Sequence, residues 1–430
     1  MADKLIGKLK MNIVASKEIE KILPQLAARP YPQVIKYMGS KARIIDFVIE
    51  GLNNADTGGA ICDLFSGAAS LAGSAGHLRP FIVNDIQAYS RVIARSYLHR
   101  LSDQAASISG DGICKLAHSI VARKKKHIPT AAHYPETTTL EKFNQIEFAN
   151  RELINYKYDD KYHLFLKNYS GTWWSAEQCA WIDALREVCD ELLEMEKINE
   201  GDHCILLTCV MHAMAYCGQG TGHYAQYRDA KTKSSMLDIN IYRQKSVEAY
   251  FSKKFESIKT WNRRHVTGNT RHQFFALDYL DALKKIPKES LVYADPPYAF
   301  VHYSRFYHAI ETFVLYDYPS LQIKGGKVVK GRYRDARHQS PFSIRSQVVG
   351  AFESLFEGVS ESSSNLVLSY SNAALLDLPT MIELAHETLG ATYFVEALTV
   401  DHQHMTMGRR ADRMRDVEEA LLIARRKKRF

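Results

Sequence analysis

Apolar positions along the chain fall into two textures. Short apolar runs bounded by turn residues occur toward both ends, at Ala60–Phe65, Pro80–Asn84, Gln273–Leu277, Leu291–Ala294, Leu366–Tyr370, Thr392–Val400 and Glu418–Ala424. They predict strands, and the continuous runs at 60–65 and 291–294 predict strands buried on both faces. From about residue 88 to 265 the spacing is helical, broken by polar and aromatic loops such as Asn168–Trp174. Further helices are predicted at Ser16–Ala28, ended by Pro30, and at Ala42–Leu52, where Ile44, Ile45, Phe47, Val48 and Ile49 form the apolar set. The run Cys204–Cys217 predicts a core helix. Strand, helix and strand over 60–85, with Ser66–Ser70 opening the helix, make the βαβ unit of a parallel sheet. The simplest organisation is one α/β domain (1–90 and 266–430) interrupted by a largely helical insertion (91–265).

Composition narrows the class. At 430 residues, with 46% apolar and 24% charged residues, the chain has the make-up of a soluble globular protein large enough for an inserted domain. No apolar run reaches the roughly 18 residues that a membrane helix needs, and Met1-Ala2-Asp3-Lys4 opens without the apolar core of a signal peptide. Seven scattered cysteines suggest reduced thiols. A cytoplasmic protein is expected. The net charge of +8 is clustered, in Arg123-Lys124-Lys125-Lys126-His127, in Arg409-Arg410 with Arg413 and Arg415, and in the tail Arg425–Arg429. Such runs either neutralise phosphates or form a solvated surface.

The chemistry centres on Asp295-Pro296-Pro297-Tyr298, placed at the end of the strand 291–294. Open α/β sheets bind ligands at that edge. The two prolines fix φ and supply carbonyls without donors, so the turn can aim a carboxylate and a carbonyl at one exocyclic amine while the tyrosine lies on the ring bearing it. A second constellation is Asp63-x-Phe65-x-Gly67, a strand-to-helix turn whose glycine allows close ligand approach. Asp85 ends the next strand, where it can accept ribose hydroxyls or cap the following helix. One glycine in the turn, rather than the three of a dinucleotide loop, favours a nucleoside ligand without phosphates. S-adenosyl-L-methionine is such a ligand.

These residues carry a family resemblance. Lys36-Tyr37-Met38-Gly39-Ser40-Lys41, Asp63–Ser70, Phe274–Tyr279 and Asp295-Pro296-Pro297-Tyr298 resemble, in this order, the motifs of the alpha-group N6-adenine DNA methyltransferases, the DNA adenine methylase-like family. Ala69 stands where that family usually has a second glycine. The resemblance covers roughly 35–90 and 270–425. It implies a Rossmann-like sheet of seven mainly parallel strands ending in an antiparallel pair, with the insertion as target-recognition domain. It also implies S-adenosylmethionine as cofactor, S-adenosyl-L-homocysteine as product and no metal. Tyr37, Gly39 and Lys41 would lie near the methionine part of the cofactor, and Asp63, Phe65 and Gly67 would form its floor. Asp85 would hold the ribose, and Phe275 and Asp278 would flank the adenine. Leu368–Asn372 would help form the base pocket. The catalytic set would be Asp295, Pro296, Pro297 and Tyr298, acting on an adenine flipped out of double-stranded DNA.

Candidate DNA contacts are Arg123, Lys124, Lys125 and Lys126, then Trp173, Trp174, His223, Gln226 and Arg228 in the insertion. Beyond it they are Tyr303, Arg305, Arg332, Arg334, Arg409 and Arg410. The segment Tyr303–Glu311 reads as a strand-holding loop or an amphipathic core helix, and Lys324–Arg334 as a basic loop over phosphates or a plain surface loop. Cys204, Cys209, His212 and Cys217 lack zinc-finger spacing and read as core residues. The family makes a restriction-modification or phage-defence setting the expected one, with a cognate endonuclease or other defence components as partners. The alternatives are transfer to cytosine N4 or to RNA, and a DNA-binding subunit without activity.

Overall fold

The computed structural model describes residues 25–220, 222–297, 302–371, 374–405 and 414–427. Nine strands are assigned among them: β1 (Ile61–Asp63), β2 (Phe81–Val83), β3 (Gln273–Phe274), β4 (Leu291–Ala294), β5 (Ile323–Lys324), β6 (Lys327–Val328), β7 (Asn365–Ser371), β8 (Tyr393–Met405) and β9 (Met414–Arg426). Seven form one sheet in the order β3-β2-β1-β4-β7-β9-β8. The first five of that order are parallel, whereas β9 runs antiparallel to both β7 and β8. The mainly parallel α/β sheet predicted from sequence is therefore present. The separate pair β5–β6 is a small antiparallel hairpin.

Burial on both faces follows from strand periodicity. In β4, Leu291 and Tyr293 join the core on one face and Val292 and Ala294 the core on the other. β1 alternates in the same way at Ile61 and Cys62. One face is covered by helices Tyr279–Leu283, Val348–Glu361 and Leu378–Leu389. The other is covered by Ile45–Asn54 and Ala88–Leu98, and there the apolar core continues without a break into the helices between β2 and β3.

Those helices begin at side-chain caps legible in the sequence. Ser175 with Gln178 and Asn199 with Asp202 form capping boxes that start Ala176–Glu194 and Glu200–Cys217. The second is buried along almost its whole length, as its uninterrupted apolar run predicts. No helix among the described residues is long and apolar enough to cross a membrane.

Three boundaries differ from expectation. Most of the helix predicted at Ser16–Ala28 lies outside the described residues, but Gln25–Ala28 is not helical. The backbone N–H and C=O of Leu26 both bond the Asn53 side chain, which ties this segment across another helix. β3 stops at Phe274 because the next residues peel toward the cleft, where the Asn84 side chain bonds both backbone groups of Leu277. The last hairpin extends well past the apolar stretches, to Met405 and from Met414. Backbone pairing does not require apolar side chains, so the stretch between the two expected strands, 401–417, is itself partly strand.

Candidate functional site

The order of the sheet places its topological switch between β1 and β4, since β1 has β2 on one side and β4 on the other. Asp63 closes β1 in register with Tyr293 of β4, and Asp295 follows two residues later. Both carboxylates thus reach one cleft at the carboxyl edge of the sheet. The cleft encloses about 1170 Å³ of space open to solvent, and Tyr37, Gly39, Lys41, Asp63, Phe65, Gly67, Asp85, Asp278, Asp295, Pro296, Pro297 and Tyr303 line it.

The turn after β1 has the predicted geometry for a physical reason. Gly67 adopts a left-handed φ of 50°, and a Cβ there would stand 2.7 Å from the Tyr37 ring. Ala69 also sits at a positive φ, 55°, at the start of helix Ser70–Ala75. This explains why glycine suits the position better. Asp85 braces the turn, one carboxylate oxygen accepting the Gly67 N–H at 2.9 Å and the other the Gln87 N–H at 2.9 Å. It therefore holds the glycine turn rather than capping a helix, which starts later with Gln87 as cap. Burial raises its carboxyl to about 6, against the opposing pull of those N–H donors. Burial and then the carboxylates of Asp295 and Asp85 hold Asp63 well above the usual range.

A tyrosine stack fixes the loop at 36–41. The Tyr37 ring lies 4.6 Å from that of Tyr307 and 5.6 Å from that of Tyr303, both stacked. The Met38 N–H donates to the Tyr307 hydroxyl at 2.8 Å. Across the loop, Lys41 places its ammonium 3.1 Å from an oxygen of Asp295. The Phe65 ring is edge-on to Phe342 and tilted against Tyr279.

Asp278 starts helix Tyr279–Leu283 by accepting the Leu280 N–H at 2.9 Å. Its neighbours Leu277 and Tyr279 reach the cleft, while Phe275 is absent from the cleft wall and lies under Lys285. Tyr298 and Asn372 lie outside the described residues, as do Arg409 and Arg410. Tyr370 is buried, its hydroxyl bonded to the Leu376 carbonyl.

The expected DNA contacts divide sharply. Lys124 is 1% exposed, bonded to the Tyr162 carbonyl and paired with Glu187 at 3.2 Å, so it is a core ion rather than a phosphate ligand. Arg123 and Lys125 are accessible but pair with Glu187 and Glu177. Lys126 is exposed. Trp173 and Trp174 are fully buried, with indole N–H groups donating to the carbonyls of Gly331 and Met214. Neither offers a ring to a base. His223 is buried against Phe306, and Arg332 is buried too, with φ 56°. Arg228 pairs with Asp238, and Arg334 grips Asp317 through two bonds. Gln226 and Arg305 remain exposed, Arg305 lying over the Tyr333 ring.

The segment expected as a strand-holding loop or a core helix is helical, at Tyr303–Phe306 and His308–Leu315, with His308 and Glu311 buried. The basic stretch 324–334 carries the exposed turn of the β5–β6 hairpin. Cys209, His212 and Cys217 are core residues and Cys204 is half-buried. No cluster of metal-ligating side chains occurs among the described residues.

Sequence reading missed three contributors. Asn84 stitches Leu64 to Leu277, and its signal was its place at a strand end beside Asp85. Glu311 accepts the backbone N–H groups of Ala88 and Tyr89, both at 3.0 Å, at the start of helix Ala88–Leu98. Glu419 approaches Lys41 from β9, and nothing local in the sequence marks it.

Comparison with known proteins agrees with this geometry. Residues 37–170 and 232–365 match the family described as D12 class N6 adenine-specific DNA methyltransferase. The chain is 23% identical to the modification methylase LlaI of Lactococcus lactis subsp. lactis over 82% of its own length and 48% of the relative's. It is 22% identical to the type II methyltransferase M.FokI of Planomicrobium okeanokoites, over 80% of this chain and 45% of that protein. Identity to the type II methyltransferase M.NlaIII of Neisseria lactamica is also 22%, over 81% of this chain and 87% of the relative. The chain thus spans about half the length of the first two. The two matched stretches contain the tyrosine loop, the glycine turn and the Asp-Pro-Pro turn that meet in the cleft, and together they cover more than half of the sequence. This chain belongs to the D12 class N6 adenine-specific DNA methyltransferase family.

Proposed function

We propose that the chain methylates the N6 amine of a flipped-out adenine in double-stranded DNA, with S-adenosylmethionine as donor. The observation that carries the reading is the meeting of Asp295-Pro296-Pro297 with the Gly67 turn in one cleft. The cofactor fits what the cleft offers. Its lining includes the carboxyl groups of Asp63, Asp85 and Asp295, and among the described residues Lys41 is its one lysine and no arginine lines it. A sulfonium nucleoside suits such a site better than a phosphate-bearing one. Asp85 would accept the ribose hydroxyls, the Gly67 turn would admit the ligand close to the backbone, and Leu277 and Tyr279 would border its base. When bound, S-adenosylmethionine supplies an electrophilic methyl group and leaves as S-adenosyl-L-homocysteine.

The chain's own contribution is positioning. The N6 lone pair is delocalised into the adenine ring and is a poor nucleophile. Bonds from the two N6 hydrogens to the Asp295 carboxylate and the Pro296 carbonyl draw the nitrogen toward sp³ geometry and aim its lone pair at the methyl carbon. The N–C bond forms as the C–S bond breaks, with that electron pair staying on sulfur. The surplus N6 proton then passes to the Asp295 carboxylate. Positive charge grows on the amine during this step, and an aspartate stabilises it as a neutral acceptor would not.

The helices between β2 and β3 would serve as the target-recognition part, with Lys126 and Gln226 among the accessible contacts there and Arg305 a further one after β4. One relative is named a modification methylase and two are named type II methyltransferases. A restriction-modification or defence role, with a cognate endonuclease as partner, is the corresponding proposal here.

Incubation with methyl-labelled cofactor and mixed DNA and RNA, followed by digestion to nucleosides, tests the reading. Label is expected in N6-methyldeoxyadenosine. Label in N4-methyldeoxycytidine or in RNA nucleosides, or no label at all, would overturn it.

Asp85 also predicts a pH dependence. Its carboxyl sits at about 6, and ribose hydroxyls bond the ionised form better. Cofactor affinity should therefore be full well above that value and fall as pH drops through it, to about a tenth of the plateau one unit below. Calorimetric titration across this range checks it, and Asp85→Asn should bind weakly with a flat profile.

A further inference from the structure

Behind the cleft wall, three adjacent strands bring their ends together. Asp295 follows β4, Ser371 ends β7, and Glu419 lies opposite Ser371 on β9 in antiparallel register. Lys41 spans this edge, its Nζ 3.1 Å from Asp295 Oδ1 and 3.6 Å from Glu419 Oε2. The side chain of Lys41 is 6% exposed, that of Asp295 16% and that of Glu419 1%. Exposure thus falls from the carboxylate that faces the cleft to the one that lies behind it.

A buried carboxylate is costly unless it is paired. The pair alone would be awkward here: the Lys41 ammonium steadies Asp295 but also sets a positive charge beside an amine that turns positive as it reacts. Like charges in a half-buried site repel strongly. Glu419 removes the conflict. Its carboxylate stands against the ammonium, which favours the transition state while Lys41 keeps its hold on Asp295.

We propose that Glu419 is a positioning residue for methyl transfer: it seats Lys41 on Asp295 and cancels the ammonium charge that the reacting nitrogen would feel. The inference rests on the methyl-transfer reading above. Glu419 touches neither base nor cofactor in this account and acts through Lys41.

The test compares Glu419→Gln, Glu419→Asp and the double variant Lys41→Met/Glu419→Gln with the wild-type enzyme on adenine-containing duplex DNA. For Glu419→Gln, kcat should fall at least about tenfold, with KM for DNA, cofactor Kd and melting temperature near those of wild type. Glu419→Asp keeps the charge and should recover much of the rate. The double variant, which also loses the hold of Lys41 on Asp295, should be at least as slow as Glu419→Gln alone. Three outcomes would sink the proposal: an unchanged kcat in Glu419→Gln, a Glu419→Asp variant as slow as Glu419→Gln, or a lost rate that tracks a lowered melting temperature in every variant. If the wild-type enzyme forms no N6-methyldeoxyadenosine, the methyl-transfer reading itself fails and this inference fails with it. An active wild type with an indifferent Glu419→Gln removes the inference alone.

Discussion

Replacing Asp295 with alanine is expected to lower kcat for methyl transfer by about 10²–10³-fold or more, with cofactor affinity within about threefold of wild type. The split follows from where the residue stands. Asp295 shares the cleft with the Gly67 turn and Asp85, but those two groups are braced by each other through the bond at 2.9 Å and do not depend on it. Lys41 keeps Glu419 as a counter-charge when Asp295 is lost, so the buried ammonium is not stranded. Asp295→Asn should also be slow, because an amide oxygen can accept a hydrogen bond but cannot offset the charge growing on N6. Single-turnover transfer and calorimetric cofactor binding, measured on the same preparations, check both halves. A variant that loses cofactor binding and rate together would show that Asp295 holds the donor rather than the acceptor.

The largest stability effect is expected outside the cleft lining, at Arg243. Its guanidinium is fully buried, bonded to Glu147 at 2.8 and 3.2 Å and to the carbonyls of Trp173 and Thr172, both at 2.9 Å. It thereby fastens the Asn168–Trp174 loop to helix Leu140–Arg151. Arg243→Met should cost about 3–5 kcal/mol, since Glu147 is left as a buried charge with a weakened set of partners. Those that remain are the Tyr134 hydroxyl at 2.8 Å and Arg151 at 3.5 Å. Adding Glu147→Leu should restore part of the loss. Urea unfolding of the single and double variants measures both, and a double variant less stable than Arg243→Met would contradict the account.

Much of the fold could be read from the chain because its determinants are local. The runs at 60–65, 80–84 and 291–294 are short, apolar and flanked by turn residues, and each became a strand of the sheet. The cleft was legible for a similar reason: Asp63, Phe65 and Gly67 are neighbours in sequence, and so are Asp295, Pro296 and Pro297. What depends on the tertiary environment was not. A lysine in a basic run looks like surface until its helix is drawn. Lys124 falls in the same stripe as Ile113, Ala117, Ile120 and Val121, all buried, so the helical period of Gly110–Lys125 turns it inward. Trp173 and Trp174 carried no such period, and their burial is set by Gly331 and Met214, far along the chain. Glu419 meets Lys41 only because the last hairpin returns antiparallel beside β7.

The tyrosine stack has a consequence for biosynthesis. Met38 and Tyr307 are hydrogen-bonded although 269 residues separate them. The ring of Tyr37 that shapes the Gly67 turn is clamped by residues translated long after it. A ribosome that has made the glycine turn and every helix up to residue 265 has not yet made either clamp. The emerging polypeptide therefore carries the glycine turn for most of its synthesis without the ring stack that completes this wall of the cleft, and premature release short of Tyr307 leaves a product unable to complete it.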